Sequence, residues 1–458
     1  MKVKHIQHLY WRAGFGIQPE ELVNLSKISK TEIVMNLFKD SSTITSLKID
    51  TSEIDEVIYS MSKVSKSKLR MLLKKSNLKS LELNTAWINR LIQPKELLRE
   101  RMTLFWANHF VCEDKNIVYI QQYNNTLRKH ALGNFGDFIK AISKEASMIK
   151  YLNNKQNRKA KPNENFAREL LELFTLGNGN YSEKDIKEAA KAFTGYNHTR
   201  AGEYQFRKLQ HDFEKKEFLD SKGNFDGDDI IDIILKEKQC ARFICTKMYK
   251  YFVNETLDKE HIEKMTAIFF KDYDIEKLMR FVFLSEWFYD AKNIGSKIKS
   301  PIELLVGMHK IVPVTFSDDK GLLYLQKLLG QVLLRPPNVA GWKGGKTWID
   351  SNTIMIRLKL ASILLNNAII ALEEKGDFED SFQMYYDKMK RRNKKLDTTP
   401  NWNTFERVFK NTTIEELKDT LILCDLNKGT QQLLNQLETD TKRAYCIQLM
   451  SLPEYQLC

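Results

Sequence analysis

The densest group of side chains able to do chemistry lies in residues 163–176, which have the pattern of one helix. Glu164, Arg168 and Glu172 follow at spacings of four residues, so we expect the arginine between two carboxylates on one helix face. Glu169 lies on the adjoining edge. Paired carboxylates perform acid–base catalysis when their surroundings separate their pKa values. The segment predicts Glu169 or Glu172 as the acid–base group, oriented by Arg168, although an exposed ion-pair ladder has the same spacing.

A second set of chemically capable residues consists of histidines and one aspartate. His211 and Asp212 are adjacent in an irregular segment that gives them no evident structural purpose, which predicts a ligand or proton-relay role. His109 and His130 end predicted helices, where the helix dipole alone favours a histidine. A divalent metal bound by these four residues is an alternative. It is not favoured, because the sequence has neither His-Glu-x-x-His nor His-x-His spacing, so the cofactor is left open.

The third suggestive segment is a loop at residues 334–350 that is rich in proline, glycine and tryptophan, and we call it the tryptophan loop. Two consecutive prolines exclude a helix there, and long ordered loops in helical proteins are often functional. Trp342 and Trp348 lie beside lysines, an arrangement that can stack on sugar rings or bases. The alternative is that both indoles fix the loop onto the helices.

These segments together predict one polar pocket in a helical protein. The predicted reaction is hydrolysis of a carbohydrate or another polar ester, by acid–base or metal-assisted catalysis, and the expected ligand is polar or anionic. Whether the protein is an enzyme stays open at this point. The residues assigned to binding share polar, cationic or indole side chains; they are Asn163, Glu164, Asn165, Lys216, Arg335, Asn338, Trp342 and Trp348.

Two non-catalytic functions also remain open. In the first, the protein is an assembly or binding partner of another protein and uses the tryptophan loop. In the second, it binds polyanions through the basic residues of 57–81 and 388–395. The 72 Lys and Arg residues exceed the 59 Asp and Glu residues, which gives a formal net charge of +13. Nucleic-acid binding is not favoured, since most of the basic residues are lysines spread along predicted helices.

The elements that must position these residues are mainly helices. Apolar residues recur at helical spacing along most of the chain, and only 9 prolines and 19 glycines interrupt it. The sequence therefore predicts an all-α, helical-bundle-like fold, with one short β hairpin or irregular insertion in residues 194–228. The second basic run suggests a division into a helical domain, residues 1–373, and a small C-terminal helical appendage, residues 374–458.

Three features of the sequence bear on the compartment. No uninterrupted apolar stretch approaches the roughly 18 residues that a membrane-spanning helix needs. The N-terminal residues are basic and lack the apolar core and cleavage site of a secretory signal. None of the six cysteines forms a Cys-x-x-Cys pair, which predicts free thiols in a reducing compartment. These features predict a cytoplasmic protein with no membrane span.

Several sequence blocks occur in a characteristic order; they are HLYWRAGFG at 8–16, RMTLFWANHF at 101–110, RKHALGNF at 128–135, NENFARELLELFTLG at 163–177, AFTG at 192–195, HD at 211–212, KSP at 299–301 and PPNVAGW at 336–342. Together they resemble the bacterial family called domain of unknown function 1800, over residues 5–372. The resemblance implies a mainly helical protein and a sulfatase-like partner encoded beside it, but no settled activity. Many relatives carry export signals. Tyr196 and Glu214 depart from the family pattern, which has tryptophan and glycine there.

Overall fold

Helices make up most of the residues that the computed structural model describes, which are 1–54, 66–351, 353–366, 396–436 and 441–458. The helices of the first half are α1 (Val3–Ala13), α2 (Pro19–Ser26), α3 (Lys30–Asp40), α4 (Lys66–Ile92), α5 (Leu97–His109), α6 (Ile117–His130), α7 (Phe135–Lys144), α8 (Ala146–Tyr151), α9 (Asn165–Glu169) and α10 (Glu183–Ala192).

The second half continues the helical pattern and confirms the predicted all-α class. Its helices are α11 (Gly227–Ile234), α12 (Lys238–Phe252), α13 (Lys259–Phe269), α14 (Ile275–Leu284), α15 (Pro301–Ile311), α16 (Asp319–Leu329), α17 (Thr353–Asn366), α18 (Trp402–Val408), α19 (Ile414–Leu421), α20 (Lys428–Gln436) and α21 (Lys442–Met450). Within the described residues, none of these helices is both long and apolar enough to cross a membrane.

Short antiparallel strand pairs lie between the helices. They are β1 (Tyr196–His198) with β2 (Tyr204–Phe206), β3 (Lys216–Phe218) with β4 (Ser221–Gly223), and β5 (Val314–Phe316) with β6 (Thr398–Pro400). Residues 194–228 therefore form two hairpins, where the sequence predicted one. The first two pairs are local in the chain, whereas the third joins segments that lie far apart in the sequence.

The start of α15 illustrates how local sequence fixes the helix ends near the site. The Ser300 side chain accepts a hydrogen bond from the Glu303 N–H, and the Glu303 carboxylate accepts one from the Ser300 N–H. Pro301 takes the first helical position, where its missing N–H costs nothing. This capping box sets the direction in which Glu303 and its neighbours point.

The two larger hydrophobic cores of the described residues lie side by side, and α15 contributes to both. Ile302 and Val306 belong to the larger core, which the helices before α15 build. Leu304, Leu305 and Met308 belong to the second core, which also holds residues of α16, α17 and the C-terminal helices. Because the successive residues of a helix point in different directions, α15 is buried nearly all round.

The described residues after 395 pack onto the helical body. Strand β6 pairs with β5, and α21 contacts α17. The backbone groups of Lys297 and Cys458 exchange hydrogen bonds of 3.1 and 2.8 Å. The predicted boundary at residue 373 and the basic run at 388–395 fall in 367–395, outside the described residues, so the division into two domains stays a prediction.

The segment 163–176 differs from the single α-helix that its spacing predicted. Helix α9 ends at Glu169, and a π-helix covers Leu170–Thr175. The wider turn is seen in the hydrogen bond from the Leu176 N–H to the Leu171 oxygen, at 2.9 Å. A π-turn shifts the helical register, so a spacing of four residues no longer keeps side chains on one face.

Candidate functional site

A cavity of about 240 Å³ opens between α5, α12, the start of α15 and the tryptophan loop. Three of the sequence blocks meet there, those at 101–110, 299–301 and 336–342. Its wall combines aromatic rings with charged and amide side chains; among them are Phe105, Asn108, His109, Lys247, Lys250, Tyr251, Glu255, Lys297, Glu303, Gln331, Trp342 and Trp348. The cavity therefore joins the end of α5 and the tryptophan loop, as predicted, to residues that the sequence did not single out.

Asn108 holds the tryptophan loop over the cavity. Its Oδ1 accepts a hydrogen bond from the Trp342 N–H at 2.8 Å, and its Nδ2 donates to the Trp342 oxygen at 3.1 Å. Gly341 has a φ of +76°, and a Cβ at this residue would overlap Asn108 Oδ1. The close approach therefore requires glycine. As a result, Trp342 and Trp348 form part of the wall, and each exposes only 8% of its surface.

Glu255 closes another side of the cavity against the tryptophan loop. Its carboxylate lies so close to the backbone of Gly345 that no Cβ would fit there, and Gly345 has a φ of +67°. Within the described part of the chain, Glu255 makes no hydrogen bond or ion pair through its carboxylate. The carboxylate is therefore free to contact a ligand.

Lys247 and His109 form a hydrogen-bonded pair in the wall, and the π-helix holds both. Lys247 Nζ lies 2.8 Å from the Leu173 oxygen and 3.3 Å from His109 Nδ1, while His109 Nε2 lies 3.1 Å from the Phe174 oxygen. Since a carbonyl only accepts, Nε2 carries the hydrogen and Nδ1 accepts from Lys247. Burial, reinforced by Lys247, lowers the pKa of His109 far below its usual range. Burial also lowers the pKa of Lys247 to about 8.

Glu303 forms the centre of a buried ionic cluster beneath the cavity. It pairs with Arg101, accepts from Lys297 Nζ at 2.7 Å and accepts from the Ser300 N–H at 2.6 Å. Burial by itself raises the pKa of Glu303, but Arg101 and Lys297 outweigh it and hold the pKa well below the ordinary value. The Lys297 ammonium also lies 4.1 Å from the centre of the Tyr251 ring. Glu303 is thus fully engaged by the protein.

A comparison with protein families identifies the group to which this chain is related. The family described as "Protein of unknown function (DUF1800)" matches residues 8–457. The chain belongs to the DUF1800 family. The match confirms the resemblance and extends it beyond residue 372, through the C-terminal helices α18 to α21. No curated protein and no solved structure matches the chain.

In this DUF1800 protein, the side chains of the predicted carboxylate helix do not line the cavity. Arg168 makes two hydrogen bonds of 2.9 Å to Glu183 and one of 3.3 Å to Glu164. Glu172 instead accepts a hydrogen bond from the Tyr181 hydroxyl at 3.3 Å. Arg168 was expected between Glu164 and Glu172, but it bonds to Glu164 and not to Glu172, because the π-helix begins between Arg168 and Glu172.

Glu169 has some of the properties expected of an acid–base catalyst. It is half-buried, and in the described part of the chain its carboxylate has no hydrogen bond or ion pair. Burial and then the charge of Glu172 raise the pKa of Glu169, while Arg168 opposes them. In the following π-helix, the Leu173 and Phe174 carbonyls accept hydrogen bonds from Lys247 and His109, and the Phe174 ring also packs near His109. Catalysis by Glu169 or Glu172 stays a prediction for a site separate from the cavity.

The segment with His211 and Lys216 has a structural explanation. His211 is buried, and its Nδ1–H donates to the Thr194 oxygen at 2.9 Å. Lys216 is buried as well, and its Nζ donates to the backbone oxygens of Asp212 and Glu214 at 2.6 and 3.0 Å. Burial lowers the pKa of both His211 and Lys216. These contacts brace the loop, and none of its residues lines the cavity.

The four candidate metal ligands are placed in separate surroundings. His130 stacks on the ring of Phe138, whereas His109 is bonded to the π-helix. Among the described residues, no three His, Cys, Asp or Glu side chains are grouped so that they could hold a metal ion. The geometry therefore offers no support for the metal-assisted alternative.

The other predicted binding residues shape local backbone. Asn163 Oδ1 accepts from the Asn165 N–H at 3.1 Å, at the start of α9, and Asn338 Oδ1 accepts from the Ala340 N–H at 2.9 Å, in the tryptophan loop. Arg335 is exposed and lines a second cavity, of about 410 Å³, together with acidic and amide groups from α4 and residues 113–115. Arg335 is thus separated from Trp342 and Trp348.

Lys247, Glu255 and Lys297 were not found from the sequence. Lys247 lies within a lysine-containing helix, and Glu255 follows that helix without a recognisable motif. Lys297 lies two residues before the block at 299–301, which was the one available signal. Spacing cannot reveal these residues, since the chain brings them to α5 and the tryptophan loop only by folding.

Proposed function

We propose that this protein binds an acidic carbohydrate in the cavity between α5, α12 and the tryptophan loop. The observation that carries the proposal is the pairing of two indoles with lysines that no carboxylate neutralises. Sugar rings present apolar C–H faces that pack on aromatic rings, and an acidic group on the sugar adds an electrostatic contact.

The aromatic part of the proposal rests on Trp342 and Trp348. Both line the cavity, and both are held there by the tryptophan loop. Neither indole N–H has a hydrogen-bond partner among the described residues, so both are available to donate to ligand hydroxyls. Each indole exposes only 8% of its surface, so the loop offers little apolar area for docking of a protein partner, and both indoles border the cavity.

The electrostatic part rests on an excess of positive charge. Lys297 and Arg101 neutralise Glu303, and this leaves Lys247 and Lys250 against Glu255. In the described part of the chain, neither Lys247 nor Lys250 forms an ion pair. A carboxylate, sulfate or phosphate on the ligand would therefore find an unpaired ammonium group in a partly desolvated site, where charge–charge attraction is strengthened.

The test is an array of oligosaccharides that carry uronic acid, sulfate or sialic acid, each paired with its neutral counterpart. We expect an acidic member to quench tryptophan fluorescence and its neutral counterpart to bind at least about tenfold more weakly. Lys247→Gln and Trp342→Leu should each abolish the quenching. Trp402→Leu, in the C-terminal part of the chain, is the matched control and should retain binding. No binding by any acidic glycan, or equal binding of the neutral ones, contradicts the proposal.

Hydrolysis is the second candidate function, and the unpaired carboxylate of Glu255 favours it. A carboxylate beside a bound sugar can act as a general acid or base, and its removal costs about 10²–10⁴-fold in rate. The test compares product release by Glu255→Gln, Glu169→Gln and Glu172→Gln on a glycan that binds. Loss of turnover in Glu255→Gln alone assigns the reaction to the cavity. Loss in Glu169→Gln or Glu172→Gln supports the site predicted from the sequence, and full turnover in all three contradicts acid–base hydrolysis by these residues.

A further inference from the structure

We propose that Lys247 is a covalent attachment site, at which its amine condenses with the carbonyl group of an aldehyde or keto acid to form an imine. This inference goes beyond carbohydrate binding, because it assigns a reaction to one atom of the cavity wall. Three features of the geometry support it.

The first feature is the surroundings of Lys247 Nζ, whose contacts are all with neutral groups. Its hydrogen-bond partners are the Leu173 oxygen and His109 Nδ1, and the ring centre of Phe243 lies 4.6 Å away. Lys297, in the same wall, differs because it is paired with Glu303. Burial lowers the pKa of Lys297 to about 8 as well, but its amine is held by the Glu303 carboxylate, whereas Lys247 has no carboxylate partner among the described residues and its amine is left to react.

The second feature is the orientation of His109. Its Nε2–H is committed to the Phe174 oxygen, so the lone pair of Nδ1 faces Lys247 Nζ. This lone pair can accept a hydrogen bond from Nζ whether Lys247 is protonated or neutral. In the neutral amine, the two hydrogens are directed at His109 and the Leu173 oxygen, so the lone pair of Nζ points away from both. We therefore regard His109 as a positioning residue for the amine.

The third feature is the π-helix itself. Leu173 and Phe174 lie in its last turn, and their carbonyls have no backbone N–H partner in the described part of the chain, because the chain leaves the helix after Thr175. Lys247 and His109 take these two carbonyls instead. Single π-turns occur frequently at functional sites. Here the π-turn supplies the acceptors that hold the lysine–histidine pair at the cavity wall.

The reaction balances without an oxidant or reductant. The neutral amine of Lys247 attacks the carbonyl carbon, a C–N bond forms, and the carbonyl electron pair moves to oxygen, which is then protonated. Loss of that oxygen as water forms the C=N bond, so amine and carbonyl give imine and water. The cavity volume of about 240 Å³ admits a small molecule, and Lys250 provides a positive charge for a carboxylate beside the carbonyl. Burial, which lowers the pKa of Lys247 to about 8, enlarges the share of free amine near neutral pH.

The experiment traps the imine. The full chain is incubated at pH 7.5 with glyoxylate and sodium cyanoborohydride, which converts the imine into a stable carboxymethyl amine, and the labelled lysines are mapped by peptide mass spectrometry. We expect Lys247 to be labelled about tenfold faster than the exposed lysines of the same protein. The ratio of the Lys247 rate to the rates of exposed lysines should fall between about pH 8 and pH 10, because exposed lysines gain free amine over that range and Lys247 gains little, and the ratio cancels the pH dependence of the hydride reduction.

The comparison among lysines within the unmodified protein needs no variant, so a folding defect cannot obscure it. Lys247→Arg keeps the positive charge, cannot form a stable imine and should remove the fast label, while the exposed Lys236→Arg should leave it unchanged. Labelling of Lys247 at or below the rate of exposed lysines overturns the inference. The glycan array is independent of this result, because Lys247 as an ammonium group would still bind an acid.

Discussion

Single glycine residues decide how closely the tryptophan loop approaches the cavity. Gly341 admits Asn108, and Gly345 admits the carboxylate of Glu255, in each case at a backbone conformation with positive φ. A side chain at either position would meet both a steric and a conformational penalty. The indoles of Trp342 and Trp348 therefore depend for their position on residues that carry no chemistry themselves.

Gly345→Ala is expected to lower the free energy of unfolding by about 1–3 kcal/mol, because alanine is strained at φ +67° and its Cβ would overlap Glu255. Urea unfolding measures the change. Gly344→Ala is the matched control, since Gly344 has a φ of −84° and no atom within 4 Å of an added Cβ. Equal effects of the two substitutions would show that the contact with Glu255 does not constrain the loop.

At the scale of elements, the side chains and the backbone carbonyls of the segment 163–176 have different partners. Before the π-helix, Arg168 pairs with Glu183 of α10; within it, Glu172 accepts a hydrogen bond from Tyr181, in the turn that leads to α10. The backbone oxygens at its end face α5 and α12. One segment thus supplies surface ion pairs through its side chains and cavity contacts through its carbonyls.

Double-mutant cycles are expected to show that Arg168 interacts with Glu183 and not with Glu172. The Arg168/Glu183 pair should have a coupling energy of about 0.2–1 kcal/mol, as is usual for a partly exposed ion pair, and the Arg168/Glu172 pair should have none. Urea unfolding of the alanine single and double variants gives both values. A coupling for Arg168/Glu172 equal to that for Arg168/Glu183 would indicate a regular α-helix and would contradict the π-helix.

At the scale of the whole molecule, buried cations accumulate where the two cores meet. Arg12, Arg101, Lys297, Lys299 and Arg357 are all buried, and within the described residues Glu303 is the carboxylate that faces this group. Backbone oxygens and aromatic rings contact several of these cations, while Nε of Arg12 and Arg101 and Nη1 of Arg101 and Arg357 have no hydrogen-bond partner among the described residues. Burial destabilises the charged ammonium group of a lysine relative to its neutral amine, so a buried lysine loses its proton more readily.

Lys299 shows this effect most clearly, since burial lowers its pKa to about 7. Above that pH the folded state releases a proton that the unfolded state keeps up to a pKa of about 10.4, so the free energy of unfolding rises with pH. Between about pH 7 and 8.5 we expect the wild-type protein to gain about 1–2 kcal/mol more than Lys299→Met. Urea unfolding at several pH values measures the difference. Lys236→Met is the exposed control, and a slope unchanged in Lys299→Met would contradict the assignment.

The helices and the segment 163–176 show which features could be predicted from the sequence and which could not. The spacing of apolar residues predicted the helices, and the prolines and glycines predicted the tryptophan loop, because both depend on interactions between residues close in the chain. The same spacing misplaced Glu172 relative to Arg168, since a π-turn lies there, whose last carbonyls are bound by Lys247 and His109 from other helices. A local pattern carries no information about such distant partners.

The sequence alone therefore predicted the helical class and the family to which the blocks belong, and among its candidate segments were two that line the cavity, the end of α5 and the tryptophan loop. Only the tertiary structure added Lys247, Glu255 and Lys297 and set the carboxylates of residues 169 and 172 apart from them. The physical reason is that Asn108 and Trp342, 234 residues apart in the chain, are joined by hydrogen bonds that exist only once the cores have formed. The residues that line the cavity are distant in the chain and come together only when it folds.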